Sequence, residues 1–178
     1  MSNTTKLERL ESLLTEKIDA AVKKGIEAGL QLAENQARAL YKATERRLYA
    51  LPDLREKVER DKAYLRELQT HGAARRSKDI IRFKKHGVRL SDEDIKEALI
   101  QDLLARIAAD EFEIKTIEEA MAPMQEDEFF LSVSGRYFSN WSDERIGVEL
   151  HCDPRTVRRH RGRLVRRIAV RLYGAAAV

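Results

Sequence analysis

Fifty-one residues pass before the first proline, Pro52, and only two more follow, at positions 123 and 154. Few breakers leave long segments, and the apolar residues in them recur every three or four positions rather than every two, which is the period of an α-helix. Strand-like alternation is found nowhere. The spacing therefore predicts an all-α protein with a long N-terminal helix, a helical middle region and a C-terminal helix-turn-helix, divided as 1–51, 52–125 and 126–174.

The first segment carries Leu7, Leu10, Leu14, Ile18, Val22, Ile26 and Leu30 at spacings of three or four. Steps of four drift by roughly 40° each around a helix, so this is not a straight heptad seam. A second seam, through Leu14, Ile18, Ala21, Gly25, Ala28 and Leu32, keeps the 3.5 spacing and uses small residues that allow close approach. A helix this long needs a partner, either a second copy of the chain or the body of its own protomer, and the expectation favours a homo-oligomer held by residues 1 to 50, outside the segment that carries the basic end.

Pro52 is expected to punctuate the chain, with "PDLREKVERDKAYLREL" restarting a helix that Gly72 closes. A basic stretch follows, Arg75 to Lys85, that reads as a solvated connector, with contact to phosphate as the alternative. Then "LSDEDIKEALIQDLLARIAADEFEIKTIEEAMAPM" predicts a helix capped by Ser91 and stapled by Leu90 on Ile95, with Asp92, Glu93 and Asp94 complementing its positive end. Pro123 ends or kinks it.

Charge is distributed unevenly. The whole chain is +4, yet residues 154 to 178 hold eight arginines and no carboxylate, so the residues before them sum to −4. A basic block at one end of an acidic chain suits a polyanion, of which double-stranded DNA is the usual one. The stretch "SDERIGVELHCDPRTVRRHRGRLVRRIAVRLYG" supplies a matching architecture. Ser142 is an N-cap, Ile146 and Leu150 lie four apart on an inner face, and Gly147 offers a close crossing. His151 and Cys152 make the turn, and Asp153 caps a second helix opened by Pro154.

On that second helix Val157, Leu164 and Ile168 share one side, while Arg155, Arg159 and Arg166 lie nearly opposite, flanked by Arg158 and Arg163. Arginine forks can grip guanine edges or bridge phosphates, and Thr156 near the helix start can bind phosphate or a base edge. The expected DNA-binding residues are thus Arg155, Thr156, Arg158, Arg159, Arg163 and Arg166, with Gly162 facing outward to leave room for DNA. His151 stands where glycine is common, and His160 where an aliphatic residue is common. As zinc ligands, His151, Cys152 and His160 would lack a fourth partner and good spacing.

The elements "IEEAMAPM", "RYF", "WSDERIGVEL", "DPRTVRRHRGRLVRRIA" and "LYG" resemble those of the ArpU family of bacteriophage late transcriptional regulators, and more distantly the RinA-type activators. The likeness is best from about Ile114 to Gly174, and "TVRRHRGRL" also resembles region 4 of sigma factors. The resemblance implies sequence-specific DNA binding, control of packaging and lysis genes, and host RNA polymerase as a partner, in the cytoplasm of an infected bacterium.

Two rivals share the composition. A small terminase subunit would recognise packaging-site DNA, and a structural or adaptor protein would offer its basic end to an acidic partner. An enzyme is not expected, because no nucleophile–base pair, metal cluster or phosphate loop is present, and no cofactor is expected either. No apolar run approaches the roughly 20 residues of a membrane span, and "MSNTTKLERLESLL" lacks the apolar core of a secretory signal. The single cysteine, Cys152, agrees with a reducing compartment, so a cytoplasmic protein is expected.

Overall fold

The computed structural model describes the backbone over residues 3–71 and 91–177, and side chains over 16–70, 91 and 93–177. The basic stretch Arg75 to Lys85, Gly72 and Leu90 lie outside the described residues. The fold is all-α, with no strand among the described residues. Helix α1 spans Asn3–His71, α2 Asp92–Met121, α3 Leu131–Tyr137, α4 Asp143–Glu149 and α5 Pro154–Tyr173. Single 3₁₀ turns follow α2 (Ala122–Met124) and α5 (Gly174–Ala177).

The expected break at Pro52 does not occur, since α1 runs through it. A proline inside a helix removes one backbone hydrogen bond and costs about 3 kcal/mol. Leu48 and Leu51, immediately before it, are fully buried. Complete burial of such side chains contributes roughly 1.5–3 kcal/mol each, enough to offset the defect. Helix continuity here is set by tertiary packing.

The end of the expected 1–51 segment packs into the body of the protein. Leu48 and Leu51 share a core with Ile117, Met121, Val133, Tyr137, Leu164 and Ile168, and Tyr41 packs against it. Thr44 is also buried. The last dozen residues of the 1–51 segment are therefore a wall of the C-terminal core, whereas residues 16–36 are exposed. Tyr137 fixes this wall further by donating to Glu45 at 2.7 Å. Burial and then the Glu45 carboxylate hold the Tyr137 phenol far above its ordinary range.

Beyond Pro52, α1 packs on α2 through a second core of Val58, Leu68, Leu99, Leu103 and Ile107. Ion pairs run along this contact. Arg47 grips Glu113 with two hydrogen bonds of 2.6 and 2.8 Å, Lys57 meets Asp110, and Lys62 meets Glu111 at 3.0 Å. Leu48 and Leu51 share a core with Ile117 and Met121, whereas Val58 and Leu68 share one with Leu99, Leu103 and Ile107, so the helices run antiparallel. The start of α2 is as the sequence predicts: the Ser91 hydroxyl accepts from the Asp94 N–H, and the Asp94 carboxylate accepts from the Ser91 N–H. Its end is too, with the helix stopping at Met121 and Pro123 in the 3₁₀ turn.

Among the described residues, no helix is long and apolar enough to cross a membrane.

Candidate nucleic-acid interface

Helices α3, α4 and α5 form a compact three-helix unit in which the turn between α4 and α5 is only Leu150 to Asp153. Both helix starts are written locally. Ser142 accepts from the Arg145 N–H at 3.2 Å, and Asp153 accepts from the N–H groups of Arg155 and Thr156 at 2.8 and 3.1 Å. Pro154 occupies the first turn of α5, where its missing N–H has no partner to lose.

The inner faces meet as the spacing predicts. Ile146, Val157, Leu164 and Ile168 are fully buried, and Leu150 is half-buried. Gly147 is indispensable at the crossing, because a Cβ there would lie 2.6 Å from the carbonyl oxygen of Cys152. That same turn is closed by the Cys152 N–H donating to the Gly147 carbonyl at 2.9 Å. Gly135 of α3 has a related role, since its Cβ would sit 3.2 Å from Ile146 and 3.3 Å from Trp141. Nothing in the local sequence around Gly135 signals this contact.

His151 adopts the left-handed conformation with φ of 50°. For a residue with a Cβ this costs roughly 1–2 kcal/mol. Its side chain is exposed, so His151→Gly removes strain without removing packing. Allowing for the greater freedom of glycine in the unfolded chain, the variant is expected to be more stable by about 1 kcal/mol. A thermal melt should rise by about 2–4 °C for a chain of this size. An unchanged or lower melting temperature would show that His151 makes a contact worth more than its strain.

The arginines of α5 divide into committed and free. Arg161, which the helical period places inward beside Val157 and Leu164, is mostly buried and bonds Asp143 of α4 at 2.5 Å. That bond holds the Asp143 carboxyl below the usual carboxylate range, with Arg136 and Arg158 adding to the effect. Arg158 is itself 3.7 Å from Asp143. Arg163, expected to be a DNA ligand, pairs instead with Asp127 at 2.8 Å, and Arg167 stands 3.9 Å from the same carboxylate. Partial burial pushes Asp127 up, but the Arg163 hydrogen bond, the Phe129 N–H and the nearby arginine charges together outweigh it and its pKa is lowered.

Arg155 and Arg159 are exposed and have no carboxylate partner among the described residues; Arg159 lies 3.3 Å from the His160 ring. Arg166 is exposed and rests 5.8 Å from the centre of the Tyr41 ring. The Thr156 hydroxyl donates to the Asp153 carboxylate at 2.8 Å and so completes the helix cap. Gly162 is half-buried, 3.9 Å from the Tyr41 hydroxyl measured at its would-be Cβ. It therefore faces α1, and the expectation that it opens space for DNA is corrected.

Two contacts were not legible in the sequence. His160 stacks on Phe129 with centroids 3.7 Å apart and planes 11° apart, which accounts for a polar ring at an inward position. Arg145 lies 4.0 Å over Trp141, adding an exposed cation at the mouth of the unit. The pairing of a tryptophan and an arginine four apart is a weak signal that only the helix start at Ser142 makes meaningful.

Acid should loosen this unit in a defined window. Asp143 has a depressed pKa in the folded state, so its contribution is fully present above the unfolded carboxylate value of about 3.9 and is lost as pH falls through the folded one. Asp143→Asn should lower the melting temperature at neutral pH and flatten its fall below about pH 4. An acid limb as steep in the variant as in the parent would assign the effect to other carboxylates.

No protein-family model, curated protein or solved structure matches this chain.

Proposed function

We propose that this chain binds double-stranded DNA through α5 and reads sequence with the first turns of that helix, as a transcriptional regulator of phage late genes. The observation that carries the reading is the outer face of α5. Arg155 and Arg159 project there with no acidic partner among the described residues, on a helix whose opposite face is buried against α4 and α1. Nearby acids are engaged elsewhere: Asp143 by Arg161, Asp127 by Arg163, and Asp153 by the start of α5 itself. An isolated arginine is free to exchange water and counterions for phosphate or a guanine edge, whereas a paired one must first break its ion pair.

The regulatory role and host RNA polymerase as partner rest on the resemblance to the ArpU family and to sigma region 4. They belong to the bacterial cytoplasm during infection. The deciding experiment is recovery of bound genomic fragments from infected cells after crosslinking. Enrichment upstream of late genes would support the regulator. Enrichment at a packaging site would replace it with the small terminase reading, and no enrichment, with equal indifference to DNA at low salt, would favour an adaptor.

A further inference from the structure

The strongest feature outside the DNA-reading unit is the free part of α1. Over residues 16–36 every residue is exposed, among them Ile18, Val22, Ile26, Leu30 and Leu32 at 55–71%. At about 100° per residue, Ile18, Val22, Ile26 and Leu30 form one continuous row of bulky side chains at steps of four. Ala21, Gly25, Gly29, Ala33 and Ala37 form the neighbouring row, also at steps of four and composed only of small residues. The face is thus a ridge beside a groove.

Two helical glycines sharpen the point. Each costs about 1 kcal/mol relative to alanine inside a helix. Nothing lies within 4 Å of where a Cβ would stand at Gly25 or Gly29, so no contact within the protomer explains them. Glycine is useful there if another backbone comes close.

We infer that two copies of this chain pair through residues 18–37 of α1, the bulky row of each lying in the small-residue row of the other and the backbones crossing at Gly25 and Gly29. A second copy is the occupant for three reasons. First, the surface is self-complementary: ridge and groove are adjacent on one helix, so a two-fold axis satisfies both at once, which is the isologous arrangement. Secondly, charge is segregated. Glu16, Lys17, Lys23, Lys24, Glu27, Glu34 and Arg38 cluster on the far side of the helix, and Asp19 is the one charged residue of 16–38 that projects on the apolar side. A nucleic acid or a charged peptide finds no counterpart on such a face.

Thirdly, the face continues into one already buried. The same side of α1 carries Leu40, Thr44, Leu48 and Leu51, which turn from half-buried to fully buried as the helix enters the core. The apolar side of the arm prolongs a packing surface beyond the end of its own protomer. Interlocking rows at steps of four give a crossing of about −50°, the commonest packing of globular helices. This pairing does not rest on the DNA-binding reading, and its test does not use DNA.

The test is the mass of the full chain by sedimentation equilibrium across 1–100 µM, for the parent, for Gly25→Leu with Gly29→Leu, and for Ala20→Leu. Ala20 lies on the charged side of the same helix. The parent should be a dimer, Ala20→Leu should match it, and filling the groove should weaken association at least 100-fold. Leucine favours the helix over glycine, so circular dichroism should show helicity kept or raised, and lost association cannot then be unfolding. A monomeric parent, an assembly larger than a dimer, or a groove-filled variant that dimerises like the parent would each overturn the inference.

Discussion

Gly147→Ala is expected to cripple the three-helix unit, at a cost of about 3 kcal/mol, because a backbone carbonyl stands where the methyl must go. The distance is 2.6 Å from the ideal Cβ to the Cys152 oxygen. The oxygen belongs to a turn closed by the Cys152 N–H on the Gly147 carbonyl, so neither side can shift without opening that bond. On an open helix the same substitution would add about 1 kcal/mol of stability, so the sign of the change distinguishes the two situations. The melting temperature should fall by about 6–12 °C for a chain of this size. A fall under 2 °C would mean that the turn is softer than its hydrogen bonding implies.

Arg155→Ala and Arg159→Ala should separate sequence reading from electrostatic attachment. Both residues sit in the first two turns of α5, the part of such a helix that meets base edges. At least one is expected to lose about 1–3 kcal/mol on a cognate duplex and much less on a scrambled one. Arg163→Ala should do less than its position on the helix suggests, because the parent residue is already held by Asp127. Asp127→Asn gives the converse: a freed Arg163 should tighten binding to every duplex and steepen the salt dependence by about 0.9 per added phosphate contact. Titrations of cognate and scrambled duplexes over a salt series measure all four. If Arg155→Ala and Arg159→Ala weaken both duplexes alike, α5 is an anchor only and sequence must be read elsewhere.

These two outcomes rest on features of different legibility. Gly147 was readable as a close crossing because it follows Ile146 in a short capped helix before a turn, and all of those signals lie between Ser142 and Cys152. The partition of arginines was readable only in part. Helical period separates the inward Arg161 from the outward Arg155 and Arg159, but it cannot show that Asp127, 36 residues before Arg163, arrives beside it.

What the sequence determined by itself is what is decided within a turn or two of chain. Ser91, Ser142 and Asp153 cap their helices by reaching N–H groups two or three residues away, and the apolar period fixes which side of each helix is buried. The tertiary structure alone decided the rest. Pro52 reads as a stop because its local cost is about 3 kcal/mol, and it is overruled because Leu48 and Leu51 are buried by α2, α3 and α5 from far along the chain. Thr156 and Arg163 read as DNA ligands, and Gly162 as facing outward. The helix cap claimed Thr156, Tyr41 of α1 met Gly162, and Asp127 paired with Arg163. A helical wheel gives direction, but what stands in that direction depends on contacts between residues distant in sequence.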